Sequence, residues 1–389
     1  MVPNGWEKRD LQGLINVKHG FAFKSEFFTD CGDYILLTPG SFNESGGFRD
    51  QGGKTKYYVG DVPDGYLLKK GDMLLAMTEQ AEGLLGSALF VPENHKYLHN
   101  QRLGLVQITA PEQIAIEFLY LFFNAPSTRK QITEQSTGTK VKHTSPDRLC
   151  SVIGLIPPLP EQKKIAQILS TWDKAITTTQ HLLANSQQQK KALMQQLLTG
   201  KKRLLDQNGK RFSGEWIHGY LSDLGKITKG KALSSKDLID GDYPVIAGGK
   251  SSPYNHKKFT HENVITVSAS GAYAGYVAYH PYKLWASDCS VVTSKANSDI
   301  RFIYQLMSHM QLKIYSLQSG GAQPHVYPKD LEVLRVNIPP LEEQQKIAAV
   351  LSTADQEITT LQQKLEAFKQ EKQALMQQLL TGKRRVKVA

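Results

Sequence analysis

The chain has 389 residues and a formal net charge of +11, enough for two or three domains and a balance that suits an anionic partner, nucleic acid above all. Its three cysteines, Cys31, Cys150 and Cys289, form no C-x-x-C pair, which argues against a disulfide framework or zinc site and for a reducing compartment. The opening MVPNGWEKRDLQG lacks the apolar core of a secretory signal and no run approaches the roughly 18 apolar residues of a membrane span, so a soluble, cytoplasmic protein without membrane association is expected.

The first globular region runs to about residue 155. Short apolar runs at 34–37, 66–68, 73–77 and 103–108 predict strands broken by Gly-Asp and Pro-Glu turns. Residues 114–123 predict a buried helix, which 129–135 either continue or follow. At 156–204 comes IPPLPEQKKIAQILSTWDKAITTTQHLLANSQQQKKALMQQLLTGKKRL. Pro160 suits a first helical turn, Glu161 sits near the positive end of the helix dipole, and Gly200 falls where a left-handed cap is expected, followed by basic residues. The polar stretch 205–213, LDQNGKRFS, reads as a linker. A second globular region to residue 337 predicts strands at 243–246, 264–267, 275–279 and 290–292 and a helix at 303–310. The chain then closes on IPPLEEQQKIAAVLSTADQEITTLQQKLEAFKQEKQALMQQLLTGKRRV at 338–386.

The two long segments are copies of each other at a constant shift of 182 positions, from 156 to 338, and about 30 of roughly 49 aligned positions are identical. A heptad runs through each. The first seam is Ile165, Leu169, Trp172, Ile176, Thr179, Leu183, Ser186, Lys190, Leu193 and Leu197; the second is Ile347, Leu351, Ala354, Ile358, Leu361, Leu365, Phe368, Lys372, Leu375 and Leu379. A helix of about 39 residues is roughly 58 Å long and cannot hide such a stripe alone. The copies are expected to pair with each other, the alternative being that each pairs with a different protein. Lys190 and Lys372 occupy equivalent seam positions, where they either fix register or lay their stems on the seam.

The globular regions share their edges. Trp6, Leu11 and Leu14 match Trp216, Leu221 and Leu224 at a shift of 210; Gly138, His143, Pro146 and Leu149 match Gly320, His325, Pro328 and Leu331 at a shift of 182. One domain–helix unit is duplicated, its frame kept and its interior diverged. The short linker predicts antiparallel helices with a globular region at either end and a pseudo-two-fold axis across the bar; a parallel arrangement stays open. The fold class expected is α+β: two globular mixed α/β domains separated by an antiparallel two-helix coiled coil.

Catalytic signals fail on inspection. Gly225-Lys-Ile-Thr-Lys-Gly230-Lys231-Ala232 imitates a phosphate-binding loop but has Ala232 where Ser or Thr must hold magnesium. Asn337-Ile-Pro-Pro-Leu341 lacks the aromatic ring of an amino-methyltransferase motif. His143 and His325 have no nucleophile or carboxylate at matching spacing, so no catalytic residue and no metal ligand is assigned. Binding chemistry remains: flexible backbone with donors and cations suited to phosphates and base edges. The candidates are Thr78 and Gln80; Arg102; Lys140, Lys142 and His143; Lys250, Ser251, Tyr254, Asn255, Lys257 and Lys258; Ser270 and Tyr273; and Gln323 with His325.

The doubled I-P-P-L-x-E-Q, the following K-I-A, the Gln/Lys/Leu-rich helix, the L-L-T-G-K ending and the Gly/Trp start of each globular half resemble the specificity subunit of type I restriction-modification systems, over essentially the whole chain. That resemblance implies target-recognition domains at 1–155 and 205–337, the latter including the linker. It implies conserved helices at 156–204 and 338–389. Each domain would read half of a split, asymmetric double-stranded DNA site, with the coiled coil setting the distance. It implies no chemistry and no cofactor in this chain: two methyltransferase (M) subunits would bring S-adenosylmethionine, and restriction (R) subunits would bring ATP and Mg. A self-contained DNA-modifying enzyme and a coiled-coil scaffold without a DNA role are the competing readings.

Overall fold

The structure is a computed structural model that describes residues 2–79, 83–249, 252, 254–320 and 323–388. The chain forms two compact units, Met1–Thr178 with Glu366–Ala389, and Thr179–Leu365. Each unit holds one globular region and part of each long helix.

In the first unit, a four-stranded antiparallel sheet is ordered Ile15–His19, Leu103–Ile108, Met73–Ala76, Ala88–Phe90. The strand Met73–Ala76 is buried along its whole length. Met73 and Leu75 pack with Phe118, Phe122 and Leu149, while Leu74 and Ala76 pack into a second cluster with Leu37, Phe42 and Leu89. A strand covered on both faces has no polar alternation, which is why it reads as one apolar run. A second, smaller sheet joins Phe28–Thr29, Tyr57–Tyr58, Tyr34–Leu36 and Tyr97–Leu98. Residues 66–68, expected as a strand, contribute one isolated bridge, Leu67 to Leu98. The helix Ile116–Asn124 ends at Ala125, whose extended backbone precedes Pro126, and a separate helix Pro126–Glu134 begins there.

In the second unit, a six-stranded sheet is ordered Gly225–Lys229, Cys289–Ser294, His261–Ser268, Val277–Ala286, Tyr243–Ile246, Asn255–His256. All neighbours are antiparallel except Tyr243–Ile246 on Val277–Ala286. The helix Ile300–His309 buries Ile300, Phe302, Ile303, Leu306 and Met307 on the sheet. The strand expected at 275–279 starts later, at Val277, because Gly275 turns with a φ of +87° against Ile314 and Tyr315. The imitation phosphate loop is the edge strand Gly225–Lys229, which runs into no helix. This strand and its first-unit counterpart Ile15–His19 escaped the sequence reading.

Both units carry a two-stranded antiparallel ladder where chain enters and leaves: Glu7–Arg9 on Gly154–Ile156, and Ile217–Tyr220 on Arg335–Ile338. The long helices, Leu159–Leu197 and Leu341–Leu380, start directly after these ladders. A buried glutamine ties each start to the domain. Gln162 accepts from Ala115 N–H (2.9 Å) and donates to the Gln113 and Pro157 carbonyls (2.7 and 2.8 Å). Gln344 accepts from Asp299 N–H (3.1 Å) and donates to the Asn297 and Pro339 carbonyls (3.3 and 2.9 Å). Ala115 and Asp299 cap the buried helices Ile116–Asn124 and Ile300–His309, so one amide satisfies a cap donor that would otherwise be orphaned. Each long helix stops at a left-handed glycine, Gly200 (φ +71°) and Gly382 (φ +67°). Lys202 N–H and Arg384 N–H close back on the carbonyls of Gln196 and Gln378.

Within the first unit, the early part of one helix packs on the late part of the other. Ile165 and Leu169 cluster with Leu375 and Leu379, and the Trp172 ring stands edge-on to Phe368 at 5.7 Å. Within the second unit, Leu193 and Leu197 share a core with Ile347 and Leu351. The pairing is antiparallel in each. The seam positions Ile176, Leu183, Ile358, Leu361 and Leu365 are half-buried. Each fully buried leucine contributes roughly 2 kcal/mol. A charged cluster locks each pair. In the first unit the Arg385 guanidinium lies over the Trp6 ring, and Glu161 accepts from both Arg385 Nε (3.0 Å) and Trp6 Nε1 (3.2 Å). In the second, Arg203 lies over Trp216, and Glu343 accepts from Arg203 Nε (2.6 Å) and Trp216 Nε1 (3.0 Å). Among the described residues, no helix is long and apolar enough to cross a membrane.

Candidate nucleic-acid interface

The same small construction occurs in both units. In the first, the strand end Thr78–Glu79 pairs with Lys142–His143, placing Thr78 opposite His143 and Glu79 opposite Lys142. His143 also exchanges both backbone hydrogen bonds with Thr137 (3.0 and 2.8 Å), closing a hairpin over residues 138–142. Gly138 opens that hairpin with a φ of +99°, and a Cβ there would meet the Val141 carbonyl oxygen at 2.0 Å, so only glycine fits. In the second unit Ser270 pairs with His325, and His325 exchanges backbone bonds with Ser319 (2.9 and 2.8 Å). Gly320 opens this hairpin at φ +95°. A His-bearing hairpin thus lies on a Thr or Ser strand end twice.

What each hairpin presents differs. The first carries Lys140, exposed at its tip, and Lys142, whose Nζ lies 3.9 Å from Glu79 Oε1. Arg102 belongs to the same surface, because its carbonyl accepts Met77 N–H (3.0 Å) one residue before Thr78. The second hairpin carries exposed Gln323, and the His325 ring stacks on Tyr327 at 5.9 Å with an interplanar angle of 14°. The Ser270 hydroxyl donates to Asp288, and Gly271 N–H to the Pro324 carbonyl (3.1 Å). Tyr273 stands exposed in the turn that follows. The loop leaving Ile246 passes this point: a Cβ at Gly248 would be 3.1 Å from the Ser270 carbonyl oxygen. Tyr254, Asn255, Lys257 and Lys258 are exposed further along, around the edge strand Asn255–His256. Gln80, Lys250 and Ser251 lie outside the described residues.

Three supports were not read from sequence. Glu79 is buried and its Oε2 accepts the N–H groups of Leu84 and Leu85 (2.6 and 2.5 Å). Arg129 donates to the carbonyls of Leu85 (2.7 Å) and Gly83. Burial pulls the Arg129 pKa down to about 10, against the opposing pull of the Glu79 charge. Asp288, which receives Ser270, is the third. The Arg129 and Asp288 contacts join residues far apart in sequence and carry no local signal. The charged lock on the long helices was legible, since Glu161 and Glu343, and Arg203 and Arg385, are identical at the repeat shift. Among the described residues, no group of His, Cys, Asp and Glu is arranged to hold a metal ion.

A family model described as the type I restriction modification DNA specificity domain matches residues 3–185 and again 214–370. The chain therefore belongs to the type I restriction-modification DNA specificity family. It is 27% identical to a putative type I restriction enzyme MjaX specificity subunit of Methanocaldococcus jannaschii, over 99% of this chain and 95% of that protein. It is 26% identical to the type I restriction enzyme EcoBI specificity subunit of Escherichia coli, over 44% of this chain and 33% of that one. Its fold is like that of the S subunit of a type I restriction-modification system from M. genitalium, with a TM-score of 0.70, 17% identity and 98% of each chain covered.

Proposed function

We propose that this chain is the non-catalytic DNA-specificity subunit of a type I restriction-modification complex in the cytoplasm. The regions 1–155 and 205–337 each read one half of a split, asymmetric duplex site. The helices at 156–204 and 338–389 form an antiparallel coiled coil, a pseudo-two-fold repeat that sets the gap between half-sites and docks two methyltransferase subunits. Those subunits bring S-adenosylmethionine, and restriction subunits bring ATP and Mg.

The observation that supports this reading most is one frame built twice around different surfaces. The hairpin, the ladder and the helix lock recur in both units, whereas the side chains offered differ: Lys140, Lys142 and Arg102 in one, Gln323, Tyr273 and Asn255 in the other. Equal frames suit equal docking, and unequal surfaces suit unequal half-sites. Lys and Arg supply phosphate contacts and guanine readout; Asn and Gln suit adenine edges.

The test is selection from random duplexes by the chain reconstituted with its methyltransferase subunits, beside methylation and cleavage assays on the chain alone. A bipartite selected site, with no activity from the chain alone, is expected. Activity of the isolated chain would favour a self-contained enzyme, and no selected sequence under any condition would favour a scaffold.

A further inference from the structure

The second unit holds a cavity of about 600 Å³ that shares no residue with the surface described above. It lies on the ladder Ile217–Tyr220 and Arg335–Ile338, beside the end of helix Ile300–His309 and the short helix Gln311–Tyr315. Buried Leu198, Leu306 and Val336 form its floor. His218, His309, Lys313 and Arg335 stand around it, all exposed, and no acidic side chain lines it. Among the described residues, neither Lys313 nor Arg335 has a carboxylate within ion-pair distance. Large apolar side chains within two positions of lining residues in sequence are open to solvent: Ile217 at 69%, Leu312 at 83% and Val333 at 65%. Solvent-facing residues of this kind beside an apolar-floored cavity mark an interaction site.

The first unit has the same ladder, but the cavity of about 210 Å³ on it is a different one, lined by Glu7, Arg9, Glu112 and Ile156 among others. There Gly154 occupies the position of Val336, and the Phe122 ring fills the space, so close that a Cβ at Gly154 would meet Phe122 Cε2 at 2.0 Å. At the repeat shifts, Ile153 stands in place of Arg335 and Asp10 in place of Tyr220. The frame is present twice, but the place that opens over Leu306 and Val336 in the second unit is taken by the Phe122 ring in the first.

We propose that this cavity binds an acidic segment of a partner polypeptide, one copy per chain. An apolar side chain of the segment sits on Leu306 and Val336, and flanking carboxylates meet Lys313 and Arg335, the latter able to hold a carboxylate with two parallel hydrogen bonds. A phosphodiester backbone offers nothing to fill an apolar floor, and a surface for a partner that docks twice on equal frames would recur in the first unit.

The test is fluorescence anisotropy with the full chain and a labelled peptide, Glu-Glu-Leu-Phe-Glu-Glu. Saturable 1:1 binding is expected. It should weaken about tenfold or more in Lys313→Glu/Arg335→Glu, where two solvent-exposed charges are reversed without touching the core. It should weaken similarly when the central pair of the peptide is Ser-Ser, and should be unchanged in Lys8→Glu, at the corresponding ladder of the first unit. Absence of saturation, two peptides per chain, or equal binding by the double variant would overturn the proposal. So would displacement by a random duplex that the same double reversal abolishes, which would assign the cavity to DNA. Circular dichroism of each variant shows that the fold is kept.

Discussion

Lys372 Nζ lies 2.5 Å from Asp173 Oδ1 across the helix pair of the first unit, and Lys190 Nζ lies 2.5 Å from Asp355 Oδ1 in the second. Lys190 and Lys372 are equivalent in the repeat, and so are Asp173 and Asp355. The lysine stems lie on the seam, with only 14% and 23% of the side chains exposed, while the aspartates are 38% and 47% exposed. In-register parallel helices would place lysine against lysine, so the pairs favour antiparallel alignment. Lys372→Asp should cost about 1–2 kcal/mol in urea unfolding, and Lys372→Asp/Asp173→Lys should recover more than half of it. No recovery would mean that the pair contributes only through its stems.

The two charged locks should differ in strength. The Glu343 side chain is 0% exposed and its partner Arg203 is 20% exposed; Glu161 is 10% exposed and Arg385 is 41% exposed. Removing an arginine strands a carboxylate, and the cost grows with burial. Arg203→Ala should destabilise by about 2–4 kcal/mol, and Arg385→Ala by clearly less. Deleting residues 383–389 should cost more than Arg385→Ala, since it also removes the Arg384 N–H bond to the Gln378 carbonyl and Val386 from the cluster around Leu379. Calorimetry on the three variants gives the ranking.

Stability should fall on mild acidification. His280 is buried between Thr266 Oγ1 (2.9 Å) and the Tyr282 hydroxyl (3.0 Å), and burial lowers its pKa from 6.5 to about 4. His99 is lowered to about 4 for the same first reason. Between these values the unfolded chain binds more protons than the folded one. The stability is fully present above pH 6.5 and is lost as pH falls from 6.5 toward 4. The urea midpoint should drop through this window, and His280→Gln should flatten part of the slope.

Parts of this architecture were plain in the sequence because they depend on local chemistry. The long helices carried caps, stops and a seven-residue stripe, and the run at 73–77 announced a strand. Ile15–His19 did not, because Ile-Asn-Val-Lys-His alternates over only five residues and buries only Ile15 and Val17 fully. Residues 66–68 looked strand-like, yet most of their partners are single bonds, such as Leu68 N–H to the Tyr97 carbonyl (2.9 Å). At the interface the match of His143 to His325 was legible in the repeat, whereas their pairing with Thr78 and Ser270 was not. Arg129 and Asp288 act through tertiary contacts that no spacing records. Gln305 is similar: its amide reaches Asp355 at 2.6 Å from a different element.

The helices should act as a ruler. Removing seven residues from each, 174–180 and 356–362, keeps the heptad phase and shortens each helix by about 10 Å. At 3.4 Å per base pair this is about three base pairs. The selected gap between half-sites should shrink by about that amount with both half-sites unchanged; an unchanged gap would remove the ruler role.

The central claim is that each unit reads its own half of the site. The most direct measurement is selection from random duplexes by the reconstituted complex carrying Lys140→Ala/Lys142→Ala, or carrying Gln323→Ala/His325→Ala. Each double variant should relax one half-site and leave the other as selective as before, with the relaxed halves different for the two variants. Relaxation of both halves by either variant, or of neither by both, would contradict the account.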